Sequence, residues 1–211
     1  ASCLVGSEMC IRDSQAAGHT SPFALRVIDT LNVFAGQGVA AIEAVRLRDA
    51  GESVARIRTS LEALAENTYG YMIPRDLYYL RARARTKGDR SVGLLSAALG
   101  SALDIKPVLR AYRGVTEPVA KLKGFEPSAQ KLFEFTGQKV REGLLTPVVN
   151  LGYGGELAEL HALPGYARLR QTCEEHGVRL YESVMSLTGM VNVGKGALGV
   201  GFAAPPHTFS A

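Results

Sequence analysis

Apolar residues recur along this chain at two different spacings, and the switches between them predict strands interleaved with helices. After loop-like Gln15–Pro22, Leu25–Ile28 reads as a short strand. Val39, Ile42, Ala44, Val45 and Leu47 then fall on one side of a helix over Phe34–Arg48, which Gly51 stops. A second helix, Glu52–Glu66, carries Val54, Ile57, Leu61 and Leu64, and Thr68–Ile73 returns to a strand. Pro74 opens a further helix with Leu77, Leu80 and Ala84 inward, because proline is well tolerated in a first turn. Leu94, Leu95, Ala98, Leu99, Ala102 and Leu103 line another. Lys106-Pro107 ends it, since proline lacks an N–H and biases its predecessor toward extended backbone.

Beyond that break Val108, Leu109 and Tyr112 favour a strand over Lys106–Tyr112. Arg113-Gly114 turns it, and Thr116–Leu122 pairs back as a hairpin. Pro127–Gly143 is helical, with Leu132, Phe133, Phe135 and Val140 as core. Pro147–Leu151 is a strand, and Gly154–His161 and Gly165–His176 are helices parted by Pro164-Gly165. Val178–Met185 and Ala197–Ala204 supply the last two strands. Strands alternating with helices argue an α/β architecture in two or three layers. The hairpin makes the sheet mixed rather than purely parallel. The expectation is an α/β lobe over Asn67–Ala204, a mixed sheet with flanking helices, in which Leu95, Leu99 and Leu103 are buried.

Composition changes this picture first at the N-terminus. Ser2–Ser14 has no periodicity and resembles translated sequencing-adapter read-through, so residues 1–14 are set aside from fold reasoning as non-native. Cys3 and Cys10 go with them, leaving Cys173 alone; one cysteine forms no intrachain disulfide, which suits a reducing cytoplasm. Glu8, Arg12 and Asp13 also go, so the remainder is slightly more basic than the whole chain's +4. A balance this mild excludes a strongly nucleic-acid-binding protein and favours solubility or an acidic partner. No apolar run approaches the roughly 18 residues that cross a bilayer. The expectation is a cytoplasmic protein with no transmembrane segment.

Candidate chemistry is sparse. Arg75, Arg81, Arg83, Arg85, Lys87 and Arg90 form a basic run against Asp76 and Asp89. It reads either as a solvated helix face or as a docking face for an acidic partner or a phosphorylated ligand. Nucleic acid fits less well, with only Tyr78 and Tyr79 as interleaved aromatics. Gly194-Lys195-Gly196 lacks the spacing of a nucleotide loop, and Ala197 stands where a hydroxyl would hold magnesium. As a glycine turn it lets backbone amides approach an anion. His161 and His176 have no ligand-like pairing and read as surface or helix-end residues. Cys173 reads as a small core hydrophobe. No nucleophile–base or paired-carboxylate arrangement stands out, which leans away from catalysis.

Several short motifs in order carry a resemblance. Val27-Ile28-Asp29-Thr30 with Ala35-Gly36-Gln37-Gly38, Gly88-Asp89-Arg90, Leu99-Gly100-Ser101-Ala102-Leu103, Ile105-Lys106-Pro107 and Asn192-Val193-Gly194-Lys195-Gly196 follow one another. The set, over Leu25–Ala204, resembles the DegV family of bacterial fatty-acid-binding proteins. The resemblance implies a two-lobed protein whose first lobe holds the fatty acid's carboxylate. This chain would enter near the end of that lobe, with residues 15–66 as its remnant and 67–211 as the C-terminal lobe.

By the same resemblance the protein binds a long-chain fatty acid between the lobes. It presents the carboxyl group to a separate ATP-binding kinase subunit for acyl-phosphate formation, and it carries no cofactor and no catalytic residue of its own. Asn192, Gly194, Gly196 and Arg90 would bind the ligand, with the Asn192–Gly196 loop beside the Gly88–Arg90 corner; Arg81, Arg85 and Arg90 would dock the partner. Two departures stand out. Asn192 replaces the family's histidine, so nothing there titrates. Arg90 lies one residue further from Leu99-Gly100 than the family pattern has it, which makes Arg85 the other candidate. The physical logic is simple: an acyl tail gains about 0.8 kcal/mol per buried methylene. The alternatives are a phosphotransferase related to dihydroxyacetone kinase, which would need a nucleotide loop, and a regulatory protein using its basic face.

Overall fold

The computed structural model describes residues 15–18, 26–77 and 104–210. In chain order these give helices α1 (Ala35–Asp49) and α2 (Val54–Ala65), then strands β1 (Thr68–Ile73), β2 (Ile105–Tyr112) and β3 (Val115–Lys123). Helix α3 (Phe125–Glu142), β4 (Val148–Tyr153), α4 (Leu157–His161) and α5 (Tyr166–Glu175) follow. The last elements are β5 (Arg179–Val184), α6 (Leu187–Val193) and β6 (Leu198–Ala203). The strands form one sheet in the order β3-β2-β1-β6-β4-β5, antiparallel at every joint except β4–β5. This is the mixed α/β architecture expected from the sequence.

Local chemistry explains the joints. Ser53 caps α2 by accepting from the Arg56 amide at 3.3 Å. The β2–β3 hairpin turns on Arg113 and Gly114, with φ of 48° and 76°. Positive φ at both central residues is what a two-residue hairpin needs. Arg113 tolerates it while its guanidinium donates to the Glu66 carbonyl at 3.1 Å. Pro107 sits in β2 beyond the β1 pairing, facing only Lys121 of β3, so its missing N–H leaves no gap in the ladder.

The two faces of the sheet differ sharply. Tyr69, Tyr71, Val200, Phe202, Leu151 and Tyr153 project to one face and pack against α3 and α5, with Leu132, Phe133, Phe135, Val140 and Leu169. The chain after β6 folds back over the same face. His207 lies 4.0 Å from the Tyr69 ring, and its Nε2 is 3.0 Å from the Tyr71 hydroxyl. The other face is built of small residues. Gly70 is in register with Ala111 and Gly201, Gly199 stands two residues from Gly201 on the same face, and α1 lies directly on them: Ala35 Cβ is 3.6 Å from where a Gly199 Cβ would be. Val39, Ala40, Leu61 and Leu64 then close a second core over Val148 and Ala203.

Several expectations need correction. Arg26–Thr30 is irregular rather than a strand. The segment is held instead by Asn32, whose Nδ2 donates to the Thr68 and Ala111 carbonyls at 2.8 and 3.1 Å, and by the Gly114 amide, which donates to Leu31 O. Arg75–Leu77 does not start a helix. The Lys106 ammonium binds the Arg75 carbonyl at 2.6 Å and ties the chain to the sheet end. Val45 and Val54 face solvent, because α1 and α2 bury their small and leucine-bearing sides. Helix α4 begins only at Leu157, after Gly154 and Gly155. Helix α6 was not anticipated at all, and it places Asn192 in a helix rather than a loop. The Leu94–Leu103 helix, the rest of the helix proposed after Pro74 and residues 1–14 lie outside the described residues.

One buried carboxylate sets a pH limit on this packing. Glu43 of α1 accepts from Arg46 Nε and Nη2, both at 2.7 Å, and from Thr146 Oγ1 at 2.6 Å. Burial alone would raise its pKa; the hydrogen bonds from Arg46 and Thr146, with the Arg46 charge, outweigh it and hold the group below its ordinary 4.5. A folded pKa below the unfolded one means the stabilisation is full above that value and drains as pH falls through the folded pKa. Thr146→Val should therefore cost about 1.5–3 kcal/mol at neutral pH and markedly less in acid, once Glu43 has taken up its proton. Urea unfolding of both proteins at neutral pH and in acid checks this; an equal deficit at both would show that Glu43 charge is not what Thr146 serves.

Candidate functional site

The end of the small-residue face that lies beyond the start of α1 carries an apolar cluster of its own. Met72 of β1, Leu109 of β2, Ala197, Met185 and Val193 form it, with Phe34, Leu77, Ile105 and Met190 partly buried at its margin. Three of the chain's 4 methionines are here, Met72, Met185 and Met190. Methionine fills irregular space and adapts to what it touches, so this lining suits a ligand of variable shape. The sequence carried no signal for this, because Met72 lies far along the chain from Met185 and Met190 and only the fold brings the three together.

Beside this cluster the sheet presents a floor without side chains. Gly152 is buried, yet a Cβ added to it would meet no atom of the described residues within 4 Å. Its neighbours in register are Gly199 on β6 and Ser183 on β5, so the floor is nearly flat. Met185 and Phe34 converge under α6: a Cβ on Gly189 would press Met185 Cγ at 2.6 Å and Phe34 Cε1 at 3.2 Å. Phe34 holds φ 50° and ψ −122°, a backbone geometry unusual for a bulky residue. Strain of this kind persists only where surrounding structure enforces it, and it collects at ligand clamps and switches.

The polar groups lie just past this surface. Asn192, on the last turn of α6, donates through Nδ2 to the Thr188 carbonyl at 2.7 Å, which leaves its second N–H and its oxygen available. The Gly194 amide donates to Met190 O at 2.7 Å and the Gly196 amide to Gly154 O at 2.8 Å. Both glycine N–H groups are therefore already used, and an anion here would meet Lys195 and Asn192 instead. The glycines matter for shape: their φ values are 93° and 76°, and a Cβ on Gly196 would strike Arg75 Cδ at 2.6 Å.

Arg75 is the anchor of that corner. Its guanidinium donates to the Tyr153 hydroxyl and to Glu126, both at 3.2 Å, and lies 5.0 Å from the Phe125 ring centroid. Tyr153 in turn donates to Glu159 at 3.2 Å. Burial first, then the Glu159 carboxylate, raises the Tyr153 pKa, so the phenol keeps its proton. Arg75 thus braces strand ends and is not a free member of a basic face. Arg81, Arg85 and Arg90 lie outside the described residues, as does the Gly88–Arg90 corner.

The remaining candidates are structural. His161 pairs with Glu182 at 2.8 Å, and His176 closes the end of α5 with Nδ1 3.0 Å from Thr172 O. Cys173 is fully buried, and that burial pushes its thiol up to about 12. Among the described residues no group of three or more His, Cys, Asp or Glu side chains could hold a metal ion. No helix among them is long and apolar enough to cross a membrane.

The chain is similar to known proteins along most of its length. A family model described as an uncharacterised protein of the DegV family matches residues 10–205, beginning inside the stretch set aside above. A DegV domain-containing protein of Xanthomonas axonopodis pv. citri is 83% identical over 197 residues, which is 93% of this chain and 63% of the relative. One from Xanthomonas campestris pv. campestris is 81% identical with the same coverage. The chain thus spans 63% of the length of these curated relatives. Among solved structures, a fatty acid binding DegV family protein from Streptococcus agalactiae superposes with a TM-score of 0.62 at 20% identity, covering 94% of this chain and 64% of that one. A stearic acid-binding protein from Eubacterium ventriosum gives 0.65 at 18% identity, covering 84% and 58%. At these identities the superpositions establish a shared fold.

Proposed function

The chain belongs to the DegV family, and from that footing we propose that it binds one long-chain fatty acid. The acyl tail lies over Gly152, past the start of α1 and beside Phe34, Met185 and Met72, and the carboxyl group faces Asn192 and Lys195. The observation that carries this reading is the glycine floor, where a Cβ on Gly152 would meet no atom of the described residues within 4 Å, beside methionines and a strained phenylalanine. An apolar slot needs no specific contacts to hold a hydrocarbon, because each methylene removed from water contributes about 0.8 kcal/mol. The head group then needs few donors. The solved relatives described as fatty acid binding or stearic acid-binding support the ligand class.

The protein acts in this reading as a cytoplasmic carrier subunit rather than a catalyst. It presents the carboxyl group to a separate ATP-dependent kinase subunit, with Arg81, Arg85 and Arg90 as the docking face and Arg90 also near the ligand's rim. The committed amides of Gly194 and Gly196 argue against the phosphotransferase alternative, since they leave no cradle for a nucleotide's phosphates.

Native mass spectrometry of the purified protein, with lipid extraction alongside, tests the ligand. A co-purifying long-chain fatty acid is expected. A hydrogen bond to a charged group contributes roughly 1.5–3 kcal/mol, so Asn192→Ala should weaken fatty-acid binding by about ten- to a hundredfold with little change in melting temperature. A variant that melts earlier but binds as tightly per folded molecule would make Asn192 a brace of α6 and no more.

A further inference from the structure

On the opposite face of the sheet, α3 and α5 enclose a groove of about 550 Å³. We propose that it is a docking site for an acidic peptide segment of a partner protein. Its walls carry Lys131, Arg141 and Arg168, and its floor is Phe133, Phe135 and Leu169, all three buried. The helices come close where Gly137 faces Thr172, 3.9 Å from a would-be Cβ. The missing side chain lets Arg141 Nη1 swing back to 3.6 Å from the same point.

No basic side chain of this groove is paired with a carboxylate among the described residues. Arg46, Arg56, Arg58, Arg75, Arg110, Arg113 and Arg170 each hold a carboxylate. Lys131, Arg141 and Arg168 hold none among the described residues, although acids are near in sequence. Glu142, next to Arg141, pairs with Lys139 at 2.6 Å, and Glu134, one turn from Lys131, accepts from Gln130 at 2.9 Å. The groove therefore stays net positive even with Glu134 in its wall.

Spacing selects the occupant. Lys131 and Arg141 are ten residues apart on one helix, about 15 Å at 1.5 Å per residue. A single phosphate is too small to reach both. An extended peptide rises about 3.3 Å per residue, so carboxylates four to five residues apart meet the two ends while Arg168 answers from α5. Glu134 lies between, which disfavours a charge at the middle of the segment. Long-range attraction between such charges is screened by salt.

The test uses the whole chain and fluorescein-labelled hexaglutamate as probe at low ionic strength, read by anisotropy, with melting temperatures taken for every variant. The double variant Arg141→Gln/Arg168→Gln should bind about tenfold or more weakly. Arg141→Lys/Arg168→Lys should recover most of the affinity. Arg48→Gln/Arg58→Gln, which removes the same charge from the opposite layer, should leave it unchanged. An equal loss in that control, absence of binding to the unaltered chain, or displacement of the probe by inorganic pyrophosphate at matched charge would each overturn the proposal. Outright failure of the glutamine variant to fold is guarded against by the single changes Lys131→Gln and Arg168→Gln, each expected to weaken binding by a smaller factor.

Discussion

Gly201→Ala is expected to destabilise the protein by about 3 kcal/mol or more, although the change adds one methyl group to a β-strand. The new Cβ would stand 2.6 Å from the Gly36 amide nitrogen and closer still to the Ala35 carbonyl. Those are backbone atoms of the first turn of α1, with no rotamer to give way. Relief would need the helix to lift from β6, opening the packing of Val39 and Ala40 over Ala203. The chain's φ at Gly201 is not in the left-handed region, so the cost comes from collision and not from backbone strain. A loss of this size is a large share of the 5–15 kcal/mol that holds a typical domain together. Gly152→Ala on the adjoining strand is the control, since its Cβ meets nothing among the described residues. Urea midpoints that fall equally for the two variants would mean that α1 does not rest on the glycine face as described.

Gly152→Val should do the converse, leaving the fold intact and removing the ligand. Valine suits a strand, and the added side chain meets none of the described residues near its Cβ, so the melting temperature should hold or rise slightly. The same atoms fill the floor on which the acyl tail is proposed to lie. Displacing two or three methylenes forfeits about 2 kcal/mol at 0.8 kcal/mol each, and the affinity should fall about thirtyfold. Fatty-acid titration and thermal melting on the one variant read the two effects separately. Unchanged affinity would move the tail elsewhere. A fall in both quantities would show that the floor is already covered.

Much of the local order of this protein was legible in its sequence. Thr68–Ile73, the Arg113-Gly114 hairpin and the helix bearing Leu132, Phe133, Phe135 and Val140 were found because each depends on spacing or turn chemistry within a few residues. Helix α6 was missed for the same reason turned round. Gly189 and the β-branched Val191 and Val193 weaken its helical signal, and it stands because Ser186 caps it, with Oγ accepting from the Gly189 amide at 3.2 Å. Leu25–Ile28 was misread because an apolar run is strand-like by itself, whereas Asn32 decides how that segment meets the sheet. At the candidate site the sequence singled out Asn192, Gly194 and Gly196 but not the Gly152 floor or the methionines beside them.

By itself, then, the sequence determined the α/β class, most of the elements and the family to which they belong, because periodicity, breakers and ordered motifs are written along the chain. Tertiary structure alone decided that two glycine-bearing strands lie under α1, that no atom of the described residues comes within 4 Å of a Cβ on Gly152, and that Met72, Met185 and Met190 share one wall. It likewise decided that the Gly194 and Gly196 amides are spent, and that Lys131, Arg141 and Arg168 face one groove, none of them paired with a carboxylate among the described residues. The reason is physical. Close approach, empty volume and unpaired charge are relations between residues brought together from distant parts of the chain, and no local propensity encodes the distance between them.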